Sequence, residues 1–328
     1  MTRAAKNSKP AHSLWLEILL FILIFIVIAI PQSIISSIAQ LFYLFTDKVT
    51  MSTLINASVS YQEKMQVITE AVEQMPSTVL LLTLFSDIIL IGGIIFYCTK
   101  IERRNLYSMG FSKKNFAGEY FVGLGIGFAM FSVAVLICLL TKTLTFDSLK
   151  PDIPIFMIIM FFLGFIVQGA GEEVLCRSYF LISVTRNKSF VVAILANSLL
   201  FSALHLLNSG ISPLALLNIT LFGIFASVYV LKRGNIWGAC AIHSMWNFVQ
   251  GNFYGIKVSG INLDDSILTS SLSSTGTLVN GGEFGLEGGL AVTFVLIVSI
   301  VGIMMTKTKK SEIYIPQPIV ETPYFTTL

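Results

Sequence analysis

Eight apolar stretches alternate with short polar segments along the chain, at about 14–45 (broken near Pro31), 78–98, 118–140, 153–181, 189–208, 213–231, 235–254 and 287–306. A hydrocarbon core about 30 Å thick takes about 20 apolar residues per helical span. The pattern therefore predicts an all-α fold, a polytopic transmembrane helical bundle of about eight spans. Residues 1–117 read as an N-terminal leader, two spans, a long polar loop at 46–77 and a second loop at 99–117. Residues 118–306 read as a transmembrane core. The tail at 307–328 has no apolar periodicity and is expected to be disordered. Within 46–77, the run from Tyr61 to Val72 has helical character and suits the membrane interface. The segment 255–285 is rich in Gly and Ser and reads as a flexible loop.

Composition strengthens this picture. Apolar residues make up 55% of the chain and charged residues 12%, against roughly a quarter charged in soluble domains. Lipid, not water, is the expected solvent, and nucleic acid is not an expected partner. The charges are unevenly placed. Fifteen Lys and Arg fall in one alternating set of segments (3–9, 100–114, 186–188, 232–233 and 307–310) and five in the other (Lys48, Lys64, Lys142, Lys150 and Lys257). Basic loops stay on the cytoplasmic side, so a multi-pass protein of the cell membrane with both termini in the cytoplasm is expected. The first stretch is too long for a cleaved signal and reads as an anchor. Cys98, Cys138, Cys176 and Cys240 lie in apolar stretches without metal spacing and read as packing residues.

Ionisable residues inside spans are costly and mark candidate sites. They gather between 171 and 247. Glu173 and Arg177 are four apart, share a helix face and are expected to pair as a structural unit. Glu172 is rotated by about 100° from Glu173 and is expected to lack a partner on its own helix, which suits a general base acting on water. His205 lies in the next span, and His243 and Asn247 share a face two spans later. Counted from a turn near Asn187, Glu172 and His205 fall at similar depth, within about 5 Å at about 1.5 Å per residue. A shared site with access from the cytoplasmic side is the expectation.

These residues form three patterns: Glu172-Glu173-x-x-x-Arg177, Phe201-x-x-x-His205 and His243-x-x-x-Asn247. Together they resemble the motifs of the CAAX-protease and bacteriocin-processing family of intramembrane proteases, which includes abortive-infection proteins. The resemblance covers about 118–306. It implies an intramembrane endopeptidase in which Glu172, with His205, activates water and His243 with Asn247 stabilises the oxyanion, while Glu173 and Arg177 hold the helix. No cofactor is firmly implied. An older view treats such families as metalloproteases, and a divalent metal such as zinc would then take Glu172, His205 and His243 as ligands. A metal-free glutamate mechanism is preferred here, because no His-Glu-x-x-His helix is present. The expected partners are the bilayer and a peptide or protein substrate, and the oligomeric state stays open. Two other readings remain. One is a non-enzymatic immunity or regulatory protein that binds a peptide or membrane partner. The other is a transporter, which predicts inverted repeats that the sequence does not show.

Overall fold

Every apolar stretch forms a helix at its expected place, because a chain in hydrocarbon satisfies its backbone polar groups only within helices or a closed barrel. The structure, a computed structural model, describes residues 12–73 and 76–308 together with Met1, Thr2 and Ala5. The tail expected to be disordered lies, from 309 on, outside the described residues, as do Arg3, Lys6 and Lys9. The helices are α1 (Leu14–Thr46), α2 (Lys48–Ile55), α3 (Tyr61–Glu73), α4 (Ser77–Phe96), α5 (Phe116–Leu140), α6 (Ile155–Glu173), α7 (Phe190–Ala203), α8 (Pro213–Arg233), α9 (Trp237–Phe248) and α10 (Leu290–Met305). Three continue into wider π turns: α4 over Tyr97–Ile101, α6 over Val174–Leu181 and on to Thr185, and α9 over Val249–Phe253. Five are long and apolar enough to cross a membrane, namely α1, α4, α5, α6 with its extension, and α8; α7 and α10 are shorter apolar helices. The chain is a polytopic helical bundle.

Two details depart from the pattern along the chain. Helix α1 runs unbroken through Pro31. Helix α7 stops at Ala203, five residues before the apolar run ends. Residues 204–210 form tight turns that close on Gly210, whose φ is 70°. Leu206 and Leu207 prolonged the apolar pattern although they lie in these turns, and both are exposed.

Glycine sets the central packing. A Cβ at Gly123 of α5 would sit 2.5 Å from the Gly238 carbonyl oxygen, and one at Gly127 2.5 Å from that of Ile242. Small residues four apart thus let α5 lie directly on the backbone of α9. Gly169 of α6 does the same against Ser244, where a Cβ would come within 2.7 Å of Oγ. Helix α9 is therefore clamped between α5 and α6, which fixes the height of His243 and Asn247 relative to Glu172 and Glu173.

The two ends of the bundle differ. At one end, which we call the basic end, Arg186 bonds Glu102 at 3.2 Å, Arg233 bonds Glu119, Trp237 Nε1 donates to the Ser112 carbonyl and Asn187 donates to the His12 carbonyl. At the other end the chain builds a cap. Strands β1 (Leu144–Leu149) and β2 (Leu268–Leu272) pair antiparallel with a bulge between Phe146 and Ser148, a small sheet that the all-α reading omitted. The segment expected to be flexible is fixed instead. Buried amides tie it to its surroundings: Asn252 donates to Asp265 O, Asn280 of the segment donates to Thr143 O, and just beyond the segment Asn218 donates to Glu287 O and Gly289 O, at 2.6–2.9 Å. Its glycines serve turns, with Gly255, Gly260, Gly281, Gly282 and Gly285 all at positive φ. In the 46–77 loop, Ser60 and Glu63 form a reciprocal cap that starts α3.

Candidate active site

A cavity of about 600 Å³ lies among α1, α4, α6, α8, α9 and the cap, within the size range of small-ligand sites. Glu172, His205, His243 and Asn247 all line it. Glu172 comes from the last turn of α6, just before the π turns; such widened turns often occur at functional sites. The expectation that Glu172 has no partner on its own helix is corrected. Gln168, one turn earlier, donates from Nε2 to Glu172 Oε1 at 2.5 Å, and its own Oε1 accepts from Asn247 Nδ2 at 2.9 Å. One glutamine thus joins the acidic residue of α6 to the asparagine of α9. Glu172 Oε2 accepts no hydrogen bond and lies 3.8 Å from His243 Nε2.

Glu173 faces the other way and is fully buried. Its Oε1 accepts from Arg177 Nη1 at 2.9 Å and from His243 Nδ1 at 3.0 Å. The expected pair is therefore part of a triad, and the second glutamate orients the histidine that faces the first. Phe201 fills the space between these groups. The Arg177 guanidinium sits 4.3 Å over its ring, and its centroid lies 4.9 Å from that of His205 and 6.1 Å from that of His243. Such a cation–π contact is favourable when desolvated. Phe222 closes the far side of His243 at 5.1 Å.

His205 follows the end of α7 and does not sit deep within a span. Its Nδ1 lies 2.9 Å from the Phe201 carbonyl oxygen. A carbonyl only accepts, so Nδ1 carries the proton, and in the neutral ring Nε2 is left with a lone pair. Access from the cytoplasmic side, where the basic segments are expected, was the expectation, and the lining of the cavity bears on it. The cavity reaches Asn208, Ser259, Ile261 and Glu287 in the connections of the capped end, and no residue of 99–115, 186–189 or 234–236 lines it. The rise per residue placed His205 within a helix that has in fact already ended.

Three polar features of the cavity were not assigned to the site from the sequence. Asp87 of α4, an ionisable residue within the second apolar stretch, accepts from Gln32 of α1 at 2.5 Å. Glu287 of the cap accepts from Trp246 Nε1 at 3.1 Å and from Ser259 N and Oγ at 2.8 and 2.7 Å. Helix α1 turns Ser33, Ser36, Ser37 and Gln40 toward the cavity. The spacing of these four is helical and was visible, but it carried no meaning until the cavity placed α1 opposite Glu172.

The possible metal ligands fit in chemistry and not in position. Both imidazoles bond an acceptor through Nδ1, as metal-bound histidines do. A tetrahedral zinc needs its ligand atoms about 2.0–2.3 Å from the ion. Among the described residues, the three-donor group whose ligand atoms fall within 4.8 Å of one another is His12, Glu17 and Glu102 at the basic end, not Glu172, His205 and His243.

No curated protein and no solved structure matches the chain. The match to a protein family is narrower than the 118–306 expected from the motifs, but it contains all of them. Residues 154–249, from the start of α6 through α9, match the family model described as type II CAAX prenyl endopeptidase Rce1-like.

Proposed function

We propose that the protein is an intramembrane endopeptidase that hydrolyses a peptide bond with water activated by Glu172. The observation that carries this reading is the Glu172–Gln168–Asn247 chain facing His243 across one cavity. It places a carboxylate with an unengaged oxygen beside potential oxyanion donors. Glu172 Oε2 takes a proton from water as the water oxygen bonds to the peptide carbonyl carbon. The negative oxygen then rests on Asn247 and His243. Asn247 has two amide protons and Gln168 occupies one, so the second is left to donate. His243 donates from Nε2 as an imidazolium whose Nδ1–H is bonded to Glu173 Oε1. His205 Nε2 accepts the other proton of the attacking water and passes it on to the released amine. As the C–N bond breaks, the proton held by Glu172 passes to the leaving nitrogen, releasing a carboxylate and an amine.

The reading is tested by comparing membrane-associated peptides from cells that express wild-type protein or Glu172→Gln at equal level. Fragment pairs should appear only with the wild type. An identical peptide population in both would favour a binding role over an enzyme. Replacing Asn247 with Ala should slow cleavage about 10²-fold, the lower end for one oxyanion donor, while KM changes little. A larger rise in KM than fall in kcat would make Asn247 a binding residue. For the metal alternative, a strong chelator should leave turnover unchanged. Loss of turnover that added zinc restores would transfer Glu172, His205 and His243 to a ligand role.

A further inference from the structure

The cavity and the basic residues occupy opposite ends of the molecule. From α1 the cavity takes residues between Phe25 and Gln40, from α4 residues between Leu80 and Leu90, and from α10 Val292 and Leu296 near its start. The lining thus runs from the middle of the bundle to the capped end, where it includes Asn208, Ser259, Ile261 and Glu287. Among the described residues, ten Lys and Arg fall in the segments of the other end (100–114, 186–188, 232–233 and 307) and five in those of the capped end. Segments rich in Lys and Arg remain cytoplasmic.

The flank of α1 borders the cavity on the membrane side. A shallow groove along the outer flank of α1 shares Phe25, Ala29, Ser33 and Ser37 with the catalytic cavity. The cap meanwhile is tied down through Glu287, which bonds both Ser259 and Trp246. From these observations we infer that the cavity is loaded from the non-cytoplasmic half of the bilayer, and that its substrate class is an exported peptide anchored in that leaflet. The inference rests on the endopeptidase reading for the substrate, though not for the side of entry.

The α1 stripe suits such a substrate. A helical peptide must unwind before a backbone carbonyl can be attacked, and unwound backbone in an apolar setting loses several kcal/mol per unsatisfied group. Ser33, Ser36, Ser37 and Gln40 recur at helical spacing on the cavity wall and offer hydroxyl and amide partners to that backbone. Ser36 is itself held by Thr83 Oγ1 at 3.1 Å, and Gln32 by Asp87, so the wall is oriented before a peptide arrives. A prenylated cytoplasmic protein would approach the basic end, where no residue lines the cavity.

Thiol labelling decides the side of entry. The native cysteines are all buried, so the background is low. Ile261→Cys sits at the cavity mouth and Lys188→Cys on the exposed connection at the basic end. In intact cells a membrane-impermeant maleimide should label Ile261→Cys, and should label Lys188→Cys only after permeabilisation. The same pattern should hold in a Glu172→Gln background, because it does not depend on turnover. The reverse pattern overturns the proposal. Among peptides whose cleavage requires Glu172, cut sites should lie in exported segments; cut sites in cytoplasmic segments also overturn it. Should no peptide depend on Glu172, the endopeptidase reading fails while labelling still decides where the cavity opens.

Discussion

Folded Glu172→Gln protein should lose nearly all peptide cleavage, because general-base catalysis contributes about 10² to 10⁴-fold. The substitution is close to isosteric. Its amide oxygen can still accept from Gln168, so the side chain keeps its place in the cavity wall. What it cannot do is take a proton from water. The neighbouring carboxylate does not substitute for it, because Glu173 is fully buried and spends Oε1 on Arg177 and His243. Asp87, which packs against α6 at Gly171, accepts from Gln32. The measurement is single-turnover cleavage in detergent or liposomes, with folding checked by thermal denaturation. Cleavage near the wild-type rate by the folded variant would remove Glu172 from the mechanism and with it most of the case for a protease.

The second large effect falls on folding. Arg177 and Glu173 are both fully enclosed. Removing one partner of such a pair leaves an uncompensated charge in a dry site, at a cost of about 3–5 kcal/mol. In Glu173→Gln the arginine loses its facing charge and keeps a neutral amide acceptor at Nη1 and the Phe201 ring, while its Nε and Nη2 have no hydrogen-bond partner among the described residues. In Arg177→Met the glutamate keeps His243, which can carry a positive charge. Glu173→Gln is therefore expected to be the more damaging of the two. Unfolding temperature and folded yield in detergent are the readouts. The double variant should lose less than the sum of the singles, because neutralising both ends removes the isolated charge. Strict additivity would mean that the two residues do not act as a pair.

Much of the bundle was legible in the sequence because membrane helices are specified by length and apolarity alone. The i, i+4 pairing of Glu173 with Arg177 was legible for the same local reason. Gln168 was not. A glutamine one turn before a glutamate is unremarkable until α9 brings Asn247 against it, and that contact spans 79 residues of sequence. The end of α7 was hidden by Leu206 and Leu207, whose apolarity continued the pattern beyond the last helical hydrogen bonds. The cap was misread because Gly and Ser mark turn-rich and mobile segments alike. Its fixing partners, Asn218 and Thr143 among them, lie about 70 and 137 residues away. Once α7 ends early and the cap folds over it, the cavity lining extends from the middle of the bundle to Asn208, Ser259, Ile261 and Glu287 of the capped end.

Loading along the flank of α1, as proposed above, changes what substrate concentration means for this protein. A peptide arriving sideways through lipid is presented as a mole fraction within a two-dimensional phase, and its occupancy of the site follows how crowded the leaflet is. Between visits, acyl chains are the natural occupants of such an opening. The peptide must therefore displace lipid as well as shed its own helix. Diluting the membrane with inert lipid or detergent lowers saturation even when the number of substrate molecules per litre is held constant.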